Sequence, residues 1–250
     1  MKEMIKIIRE ADDAFGYLFS NETRFSEHLY KQWDDEIPDM YDHNAFITDG
    51  MPSEAELIAA ENFQKARGND FFKIDSRFPL SAELIERFHL EEDLTYTMLL
   101  EKGHAHSWKR NPLVKFKNLK ENDIAGDILE VELKTYGEDY GKDFVRRKMR
   151  RYLEMSEKHE NFYYFGAYID DKIVGACYAF CMNDVVCIDG LAVLAEYRKQ
   201  YVATTLLANI VDTFGEDVYL HADAEDTPKE MYAKMGFAVV DQVYEYNYRD

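Results

Sequence analysis

Hydrophobic and polar positions in the first part of the chain follow mainly the spacing of helices. Residues 53–67 and 80–90 each carry apolar side chains on one helical face. Ser53 followed three residues later by Glu56 is the sequence signature of a helix start that is capped by its own side chains. Few segments of this part favour strands. The pattern therefore predicts a smaller, helix-rich N-terminal domain over residues 1–112.

The spacing changes after the polar, proline-closed segment Lys109–Pro112, which the pattern indicates as a domain junction. From residue 113 to residue 250 strands and helices alternate in the order β-α-α-β-β-β-α-β-α-β-β. Turn residues at Asp170–Lys172 and Met182–Asp184 separate three of these strands. The predicted fold class is α/β (α+β), with a mixed, mostly antiparallel sheet flanked by helices.

Two segments of the chain have similar patterns at a fixed distance. DFFKID begins at Asp70 and DVYLHAD begins at Asp217, 147 residues later, and Glu83 and Glu230 have the same separation in the helices that follow. Both segments are predicted as strand, helix and strand. A diverged duplication and a chance similarity of low identity both account for this observation.

Composition limits the class of protein. The chain has 250 residues, of which 46% are apolar, so it can bury a large core. No run of about 18 apolar residues is present, and the first twenty residues interleave charged with apolar positions, which predicts neither a membrane span nor a secretory signal. Three clustered cysteines, Cys177, Cys181 and Cys187, favour small buried strand residues over a disulfide framework or a metal site. A cytoplasmic location is expected.

The net charge bears on possible partners. At a formal charge of −19 the chain opposes binding to the phosphate backbone of nucleic acids. The same charge would attract a cationic partner through its long-range field. An alternative is that the charge serves only solubility.

One short stretch concentrates positive charge in this acidic chain. EYRKQYVATTLL, from Glu196 to Leu207, places Arg198 and Lys199 directly before a predicted helix. The first turn of a helix has N–H groups without partners and a partial positive charge, so such an entry loop can bind phosphate or pyrophosphate. The stretch is therefore a candidate anion site.

These residues resemble the signature of the GCN5-related N-acetyltransferase (GNAT) family, in which a strand with an apolar-x-Val ending leads into a Q/R-x-x-G-x-G/A loop. Leu191 and Val193 match the strand, and Arg198 and Ala203 match the loop. Downstream, YAKMGF (232–237) matches the Y-x-x-x-G-F motif of the family. The resemblance covers roughly residues 113–250.

The resemblance implies acetyl-CoA as cosubstrate and assigns its binding residues by position. The pantetheine arm is expected against the main chain of Leu191, Ala192 and Val193. The pyrophosphate is expected at the loop, which consists of Arg198, Lys199, Gln200, Tyr201, Val202, Ala203 and Thr204. Tyr201 stands where the family has glycine; with a negative φ its N–H can still donate to a ligand, although its Cβ takes up room beside the pyrophosphate.

Acetyl transfer to an amine also needs groups that move protons. A primary amine has a pKa near 10, so a base must take its extra proton. By resemblance Asp189 is the first candidate, with a solvent-facing turn aspartate as the alternative, and His221 on the next strand is the reserve. Tyr232 of the YAKMGF motif is expected to donate a proton to the departing thiolate, unless it only packs in the core.

The sequence thus predicts an acetyl-CoA-dependent N-acetyltransferase that acts by direct transfer to a primary amine of a small molecule or a protein. A cationic acceptor fits the acidic charge, and no metal, nucleic acid or membrane is expected to take part. The alternative is a non-catalytic CoA-binding or interaction domain, which the tyrosine at position 201 favours. The N-terminal part is then either a separate domain or a degenerate GNAT-like half.

Overall fold

The computed structural model describes residues 1–104, 107–225 and 228–249. Within them the chain forms two compact units, each assembled from several segments. The first unit comprises residues 1–12, 99–220 and 232–238, and the second comprises residues 13–98, 221–231 and 239–250. The domain boundary near Pro112 stays a prediction.

The regular elements, named in chain order, have the following bounds. The helices are α1 (Lys2–Phe19), α2 (Glu54–Ala66), α3 (Ala82–Arg87), α4 (Ala125–Tyr136), α5 (Lys142–Lys158), α6 (Val202–Phe214) and α7 (Pro228–Lys234). The strands are β1 (Asn21–Arg24), β2 (Leu29–Trp33), β3 (Phe46–Thr48), β4 (Phe71–Ser76), β5 (Glu91–Leu100), β6 (Lys115–Asn118), β7 (Phe162–Ile169), β8 (Lys172–Met182), β9 (Val185–Val193), β10 (Asp217–Asp223) and β11 (Ala238–Arg249).

The first unit has the predicted mixed sheet. Its strands lie in the order β6-β7-β8-β9-β10, antiparallel from β6 to β9 and parallel between β9 and β10. Helices α4 and α6 pack against this sheet, and α5 packs against both β7 and α4. The α+β fold predicted for residues 113–250 is therefore confirmed, except that one long strand, β11, replaces the two short strands expected at the end.

The second unit corrects the expectation of a helix-rich N-terminal domain. Its strands lie in the order β1-β2-β3-β4-β11-β5, so residues 1–112 supply five strands, and β11 from the end of the chain pairs with β4. The pattern did not reveal strands β1 to β3, because each has only three to five residues. In β2 the buried Lys31 and Gln32 interrupt the alternation of apolar and polar positions on which strand prediction depends.

Each of the two units has an aromatic core of its own. Phe162, Tyr164, Phe165 and Phe180 are almost fully buried in β7 and β8 of the first unit. In the second unit Phe46, Phe72 and Tyr246 belong to one buried cluster beneath α2 and α3. None of the helices described here is long and apolar enough to cross a membrane.

Candidate active site

A bulge bends strand β9 in the middle of the predicted binding segment. Ala176 of β8 pairs with Ala192, but Tyr178 pairs with Asp189, so β9 has one residue more than β8 over this interval. Gly190 in the bulge has φ +61°, and a Cβ there would lie 2.8 Å from the Tyr178 ring. Only glycine meets both conditions without strain. The bulge redirects the last residues of β9.

Strand β9 separates from its parallel neighbour just before the bulge. The pairing of β10 with β9 covers Asp217 to Tyr219 and ends at Cys187, although β9 continues to Val193. Residues 188–193 therefore have no paired partner in β10. A main-chain edge in this state can hydrogen-bond to a ligand that lies along it.

The direction of the main chain identifies the groups at this open edge. The N–H of Leu194 donates to the carbonyl of Val174 in β8 at 3.0 Å. Successive residues of a strand direct their N–H groups to opposite sides, so the N–H of Val193 points away from β8. The Val193 carbonyl indeed accepts a hydrogen bond from Arg198 Nε at 3.1 Å, outside the sheet. Of the predicted pantetheine segment, Val193 thus offers its main chain to a ligand.

Helix α6 begins without a side-chain cap. Tyr201 is its N-cap residue and makes no capping hydrogen bond. Among the described residues, the N–H groups of residues 199 to 204 donate no hydrogen bond to the protein. Six consecutive free amides at a helix N-terminus form a ready site for a pyrophosphate, whose charge the helix dipole also favours.

The geometry of Tyr201 corrects one expectation. Its φ is +61°, in the left-handed region, and not negative. The positive φ explains why glycine is the common residue at this position of the family motif, and it costs a tyrosine about 1 kcal/mol. The side chain is 44% exposed, and its ring lies 4.4 Å from Lys109 Nζ. The phenol therefore lies at the surface, and the amide remains free.

A segment that the sequence indicated only as a junction braces this loop. Asn111 donates its main-chain N–H to Thr205 Oγ1 at 2.8 Å and its side-chain amide to the Gln200 carbonyl at 3.0 Å. Lys109 adds a third cation beside Arg198 and Lys199. Sequence analysis missed Lys109, because nothing in the local pattern shows that a residue 92 positions away lies beside Tyr201.

Tyr232 lies in the last turns of α7, in the same unit as the loop. Tyr232 is 9% exposed, and its ring packs edge-on against the Phe237 ring, with the two ring centres 5.8 Å apart. The turn that follows is closed by Gly236 at φ +100° and held by Trp108, whose indole N–H donates to the Met235 carbonyl at 2.7 Å. The YAKMGF motif is thus a fixed structure that positions Tyr232.

Asp189, the predicted base, is exposed and lies directly before the bulge glycine. Its carboxylate accepts the Tyr178 hydroxyl at 2.6 Å and the Gly190 N–H at 2.6 Å. Burial raises the pKa of Tyr178 well above its ordinary value, and Asp189 raises it further, so the phenol remains the donor. The arrangement holds the carboxylate in one orientation at the open end of β9.

The remaining candidates have other environments. His221 lies on β10 in the second unit, with Nδ1 3.3 Å from Thr97 Oγ1. The three cysteines are free; Cys177 and Cys187 are buried, as predicted, and Cys181 is half-buried. Burial raises the pKa of all three thiols, that of Cys181 to about 12, so they are protonated near neutral pH.

Sequence analysis missed an ionic cluster close to Asp189. Glu132 of α4 is 3% exposed, and its Oε2 lies 3.6 Å from Lys148 Nζ of α5. Burial raises the pKa of Glu132, Lys148 lowers it, and Asp189 raises it. The signal was a single glutamate on the buried face of a predicted helix, between Ile128 and Tyr136.

Comparison with known proteins identifies a family whose members match the region that contains the β9 bulge, the open edge of β9 and the uncapped start of α6. The sequence pattern of the acetyltransferase (GNAT) family matches residues 127–237. These residues form a GNAT domain. The match includes the bulged strand β9, the entry loop of α6 and the YAKMGF motif, which confirms the resemblance found in the sequence. Proteins of this family typically bind acetyl-CoA and transfer its acetyl group.

Solved structures extend the likeness beyond the GNAT domain. A conserved protein from Staphylococcus epidermidis has 19% identity and a TM-score of 0.79, covering 94% of this chain and 96% of that one. A GCN5-related N-acetyltransferase from Kribbella flavida has 13% identity and a TM-score of 0.65, over 96% and 95% of the chains. A tandem GNAT protein from clavulanic acid biosynthesis has 12% identity and a TM-score of 0.59, over 88% and 78%. At these identities the structures share the fold. No curated protein matches the sequence at a significant level.

Proposed function

We propose that the protein is an N-acetyltransferase that moves the acetyl group of acetyl-CoA to a primary amine by direct transfer. The observation that carries this proposal is the uncapped start of α6 beside the open edge of β9. Free amides of residues 199 to 204 suit a pyrophosphate, and the main chain at Val193 suits the amide groups of pantetheine. Lys109, Arg198 and Lys199 supply positive charge in a chain that otherwise repels anions.

We assign the chemical roles to Asp189, by its place on β9, and to Tyr232, by its place in the YAKMGF motif. Asp189 takes a proton from the acceptor ammonium, and the neutral nitrogen then attacks the thioester carbonyl carbon. A new N–C bond forms while an N–H of the β9 edge stabilises the oxyanion. The C–S bond breaks, the thiolate sulfur receives a proton from Tyr232, and the nitrogen's remaining extra proton returns to Tyr232 through solvent. No covalent intermediate with the protein is required.

The N-terminal part enters this proposal as a degenerate GNAT-like half. In the second unit β3 and β4 are parallel and joined through α2, as β9 and β10 are parallel and joined through α6 in the first. The elements β4, α3 and β5 also reproduce β10, α7 and β11 at the separation of about 147 residues found in the sequence. The likeness to a tandem GNAT protein supports a duplication. We assign cofactor binding to the C-terminal half alone.

Calorimetry tests cofactor binding. Acetyl-CoA is expected to bind, and acetyl-pantetheine, which lacks the pyrophosphate, is expected to bind at least tenfold more weakly, because it cannot use the amides of the loop. Equal affinity for both would contradict the assigned pyrophosphate site. No binding at millimolar acetyl-CoA would favour the alternative, an interaction domain with a degenerate loop, for which the strained φ of Tyr201 is the supporting observation.

A thiol-release assay with a panel of amines tests catalysis. Tyr232→Phe and Asp189→Asn are each expected to lower kcat by about 10²- to 10⁴-fold, the usual contribution of general acid or base catalysis. Affinity for acetyl-CoA should change little in both variants. Tyr163→Phe on β7 is the matched control and should retain full activity. Unchanged turnover in Tyr232→Phe would remove the proposed acid.

A further inference from the structure

A carboxylate and two tyrosine rings surround one ammonium group next to the proposed transfer centre. Glu132 Oε2 is buried and has no hydrogen-bond partner within the described part of the chain. Its nearest cation is Lys148 Nζ, at 3.6 Å, which is an ion-pair distance and not a hydrogen bond. Glu132 therefore has hydrogen-bonding capacity that the protein does not use.

Lys148 lies between aromatic rings as well as beside the carboxylate. Its Nζ is 5.7 Å from the ring centre of Tyr136 and 5.5 Å from that of Tyr152. Both distances fall within the range of cation–π attraction. The Lys148 side chain is still 22% exposed, so its long, flexible stem can carry the ammonium out to solvent. We call Glu132, Tyr136 and Tyr152 the cation cage.

The cation cage is connected to Asp189 by contacts within the same unit. The ring of Tyr152 packs edge-on against Tyr178 at 5.6 Å, and the Tyr178 hydroxyl donates to Asp189 at 2.6 Å. Burial, Glu132 and Asp189 together raise the pKa of Tyr136 to about 12, so this phenol lies within electrostatic reach of both carboxylates. Asp189 itself has no cation partner among the described residues.

We propose that the acceptor is a small aliphatic diamine, whose reacting amine lies at Asp189 and whose second, charged amine enters the cation cage in place of the Lys148 ammonium. This inference rests on the proposed acetyltransferase activity and names its substrate class. Lys148 thus shows where a ligand ammonium is bound and also competes with it.

The chemistry of a diamine suits both carboxylates. The reacting ammonium gives its proton to Asp189 and becomes the nucleophile, so only one positive charge remains on the acceptor. The second ammonium stays protonated and pairs with Glu132, which holds the substrate in register with the thioester. A net charge of −19 attracts a dication more strongly than a monocation.

Steady-state kinetics with matched amines test the inference. The probes are 1,3-diaminopropane, 1,4-diaminobutane and 1,5-diaminopentane, each compared with the monoamine of the same length, at saturating acetyl-CoA. We expect kcat/KM of the best diamine to exceed that of its monoamine by about ten- to hundredfold, the usual effect of a hydrogen bond to a charged group. Glu132→Gln should reduce this ratio to near one, because the second ammonium of the diamine loses its carboxylate partner.

Lys148→Met should act in the opposite direction. It removes the competing ammonium, so KM for the diamine is expected to fall, whereas a purely structural ion pair would give a less stable protein with unchanged or higher KM. The double variant Glu132→Gln/Lys148→Met has no unpaired charge and should fold, with no preference for diamines. Glu130→Gln and Lys134→Met alter an exposed ion pair on the same helix and are the controls.

The outcomes separate this inference from the activity on which it rests. Turnover of monoamines and diamines at equal kcat/KM would overturn the diamine inference and leave the acetyltransferase proposal intact. A diamine preference that survives Glu132→Gln would also overturn it. No turnover of any amine would remove both proposals, and acetyl-CoA binding measured in the same samples would show whether the cofactor site survives.

Discussion

Helices α2 and α6 occupy equivalent places in the two units but begin in opposite ways. Each follows a strand and leads to that strand's parallel neighbour. At the start of α2, Ser53 Oγ accepts the Glu56 N–H at 3.3 Å, and the Glu56 carboxylate accepts the Ser53 N–H at 2.7 Å. At the start of α6, Tyr201 provides no cap.

The difference shows how a helix end becomes a binding site or remains closed. In α2 the protein's own side chains use the amides, and hydrogen bonds from Ser26 and Ser53 lower the pKa of Glu56, which keeps a negative charge there. That charge would repel a pyrophosphate. In α6 the amides of the first turn are free and cations surround them. The stabilisation that a cap gives, about 1 kcal/mol, is absent where a ligand is expected to supply it.

Helices α7 and α3, which follow β10 and β4, also differ in the groups that could take part in chemistry. Tyr232 of α7 corresponds to Ile85 of α3 at the 147-residue separation. Ile85 packs against the buried cluster of the second unit and carries no group that can donate a proton. The N-terminal half therefore has the same order of elements without the groups that the proposed chemistry requires.

The strongest way to break this comparison is to transfer the cap of α2 to α6. Tyr201→Ser/Thr204→Glu places the Ser-x-x-Glu pattern at the N-cap and third position of α6. We expect the affinity for acetyl-CoA to fall by about hundredfold, because the new carboxylate lies in the first turn of α6 and repels the pyrophosphate. Calorimetry with acetyl-CoA measures the change.

A single variant controls for the loss of the tyrosine. Tyr201→Gly accommodates the positive φ without strain and leaves the amides free, so affinity should stay equal or increase. If the double variant binds acetyl-CoA as tightly as the unaltered protein, the uncapped helix end is not the pyrophosphate site.

A buried lysine in the second unit gives a test of stability that does not involve the candidate site. Lys31 is fully buried, and its ammonium donates to the Asn44 carbonyl at 2.6 Å and lies 4.6 Å from the Phe46 ring. Burial and, to a smaller extent, the nearby charge of Arg67 together lower the pKa of Lys31 from 10.5 to about 7. The folded state therefore releases this proton near pH 7, while the unfolded chain keeps it.

The sign of the pH dependence follows. Below pH 7 the folded and the unfolded states both keep the Lys31 proton. Above pH 7 the unfolded state binds more protons than the folded state, so the free energy of unfolding rises with pH. From pH 7 to pH 9 the contribution of Lys31 is about 2 kcal/mol. Urea unfolding of Lys31→Met should lack this increase, and the exposed Lys65→Met on α2 should retain it. Parallel curves for all three proteins would show that Lys31 has an ordinary pKa.

The smallest expected effect is that of removing the cap of α2. Ser53→Ala should lower the free energy of unfolding by about 1 kcal/mol, because Ser53 Oγ no longer accepts the Glu56 N–H or donates to the Glu56 carboxylate. Acetyl-CoA affinity and kcat should not change if the N-terminal half is only structural. A loss of turnover at full stability would instead assign this helix end a part in function.

Much of the candidate site could be predicted because its signals are local. Capping at Ser53, the turns at Asp170 and Asn183, the strand ending at Val193 and the spacing of Tyr232 to Phe237 depend on residues within a few positions of one another. Strands β1 to β3 could not be predicted, since they have only three to five residues each, and in β2 the buried Lys31 interrupts the alternation of apolar and polar positions. The helix-rich description of residues 1–112 was wrong for this reason.

By itself, then, the sequence determined the order of the elements after residue 112, the positive charge at the start of α6 and the family of that region, all of which follow from periodicity and motif spacing. Tertiary structure decided which amides stay free, because the separation of β9 from β10 depends on pairing between distant segments. It also decided that Lys109 lies at the loop and that Glu132 and Lys148 form an ion pair near Asp189. These side chains are far apart in sequence, and only the packing of helices on the sheet brings them together.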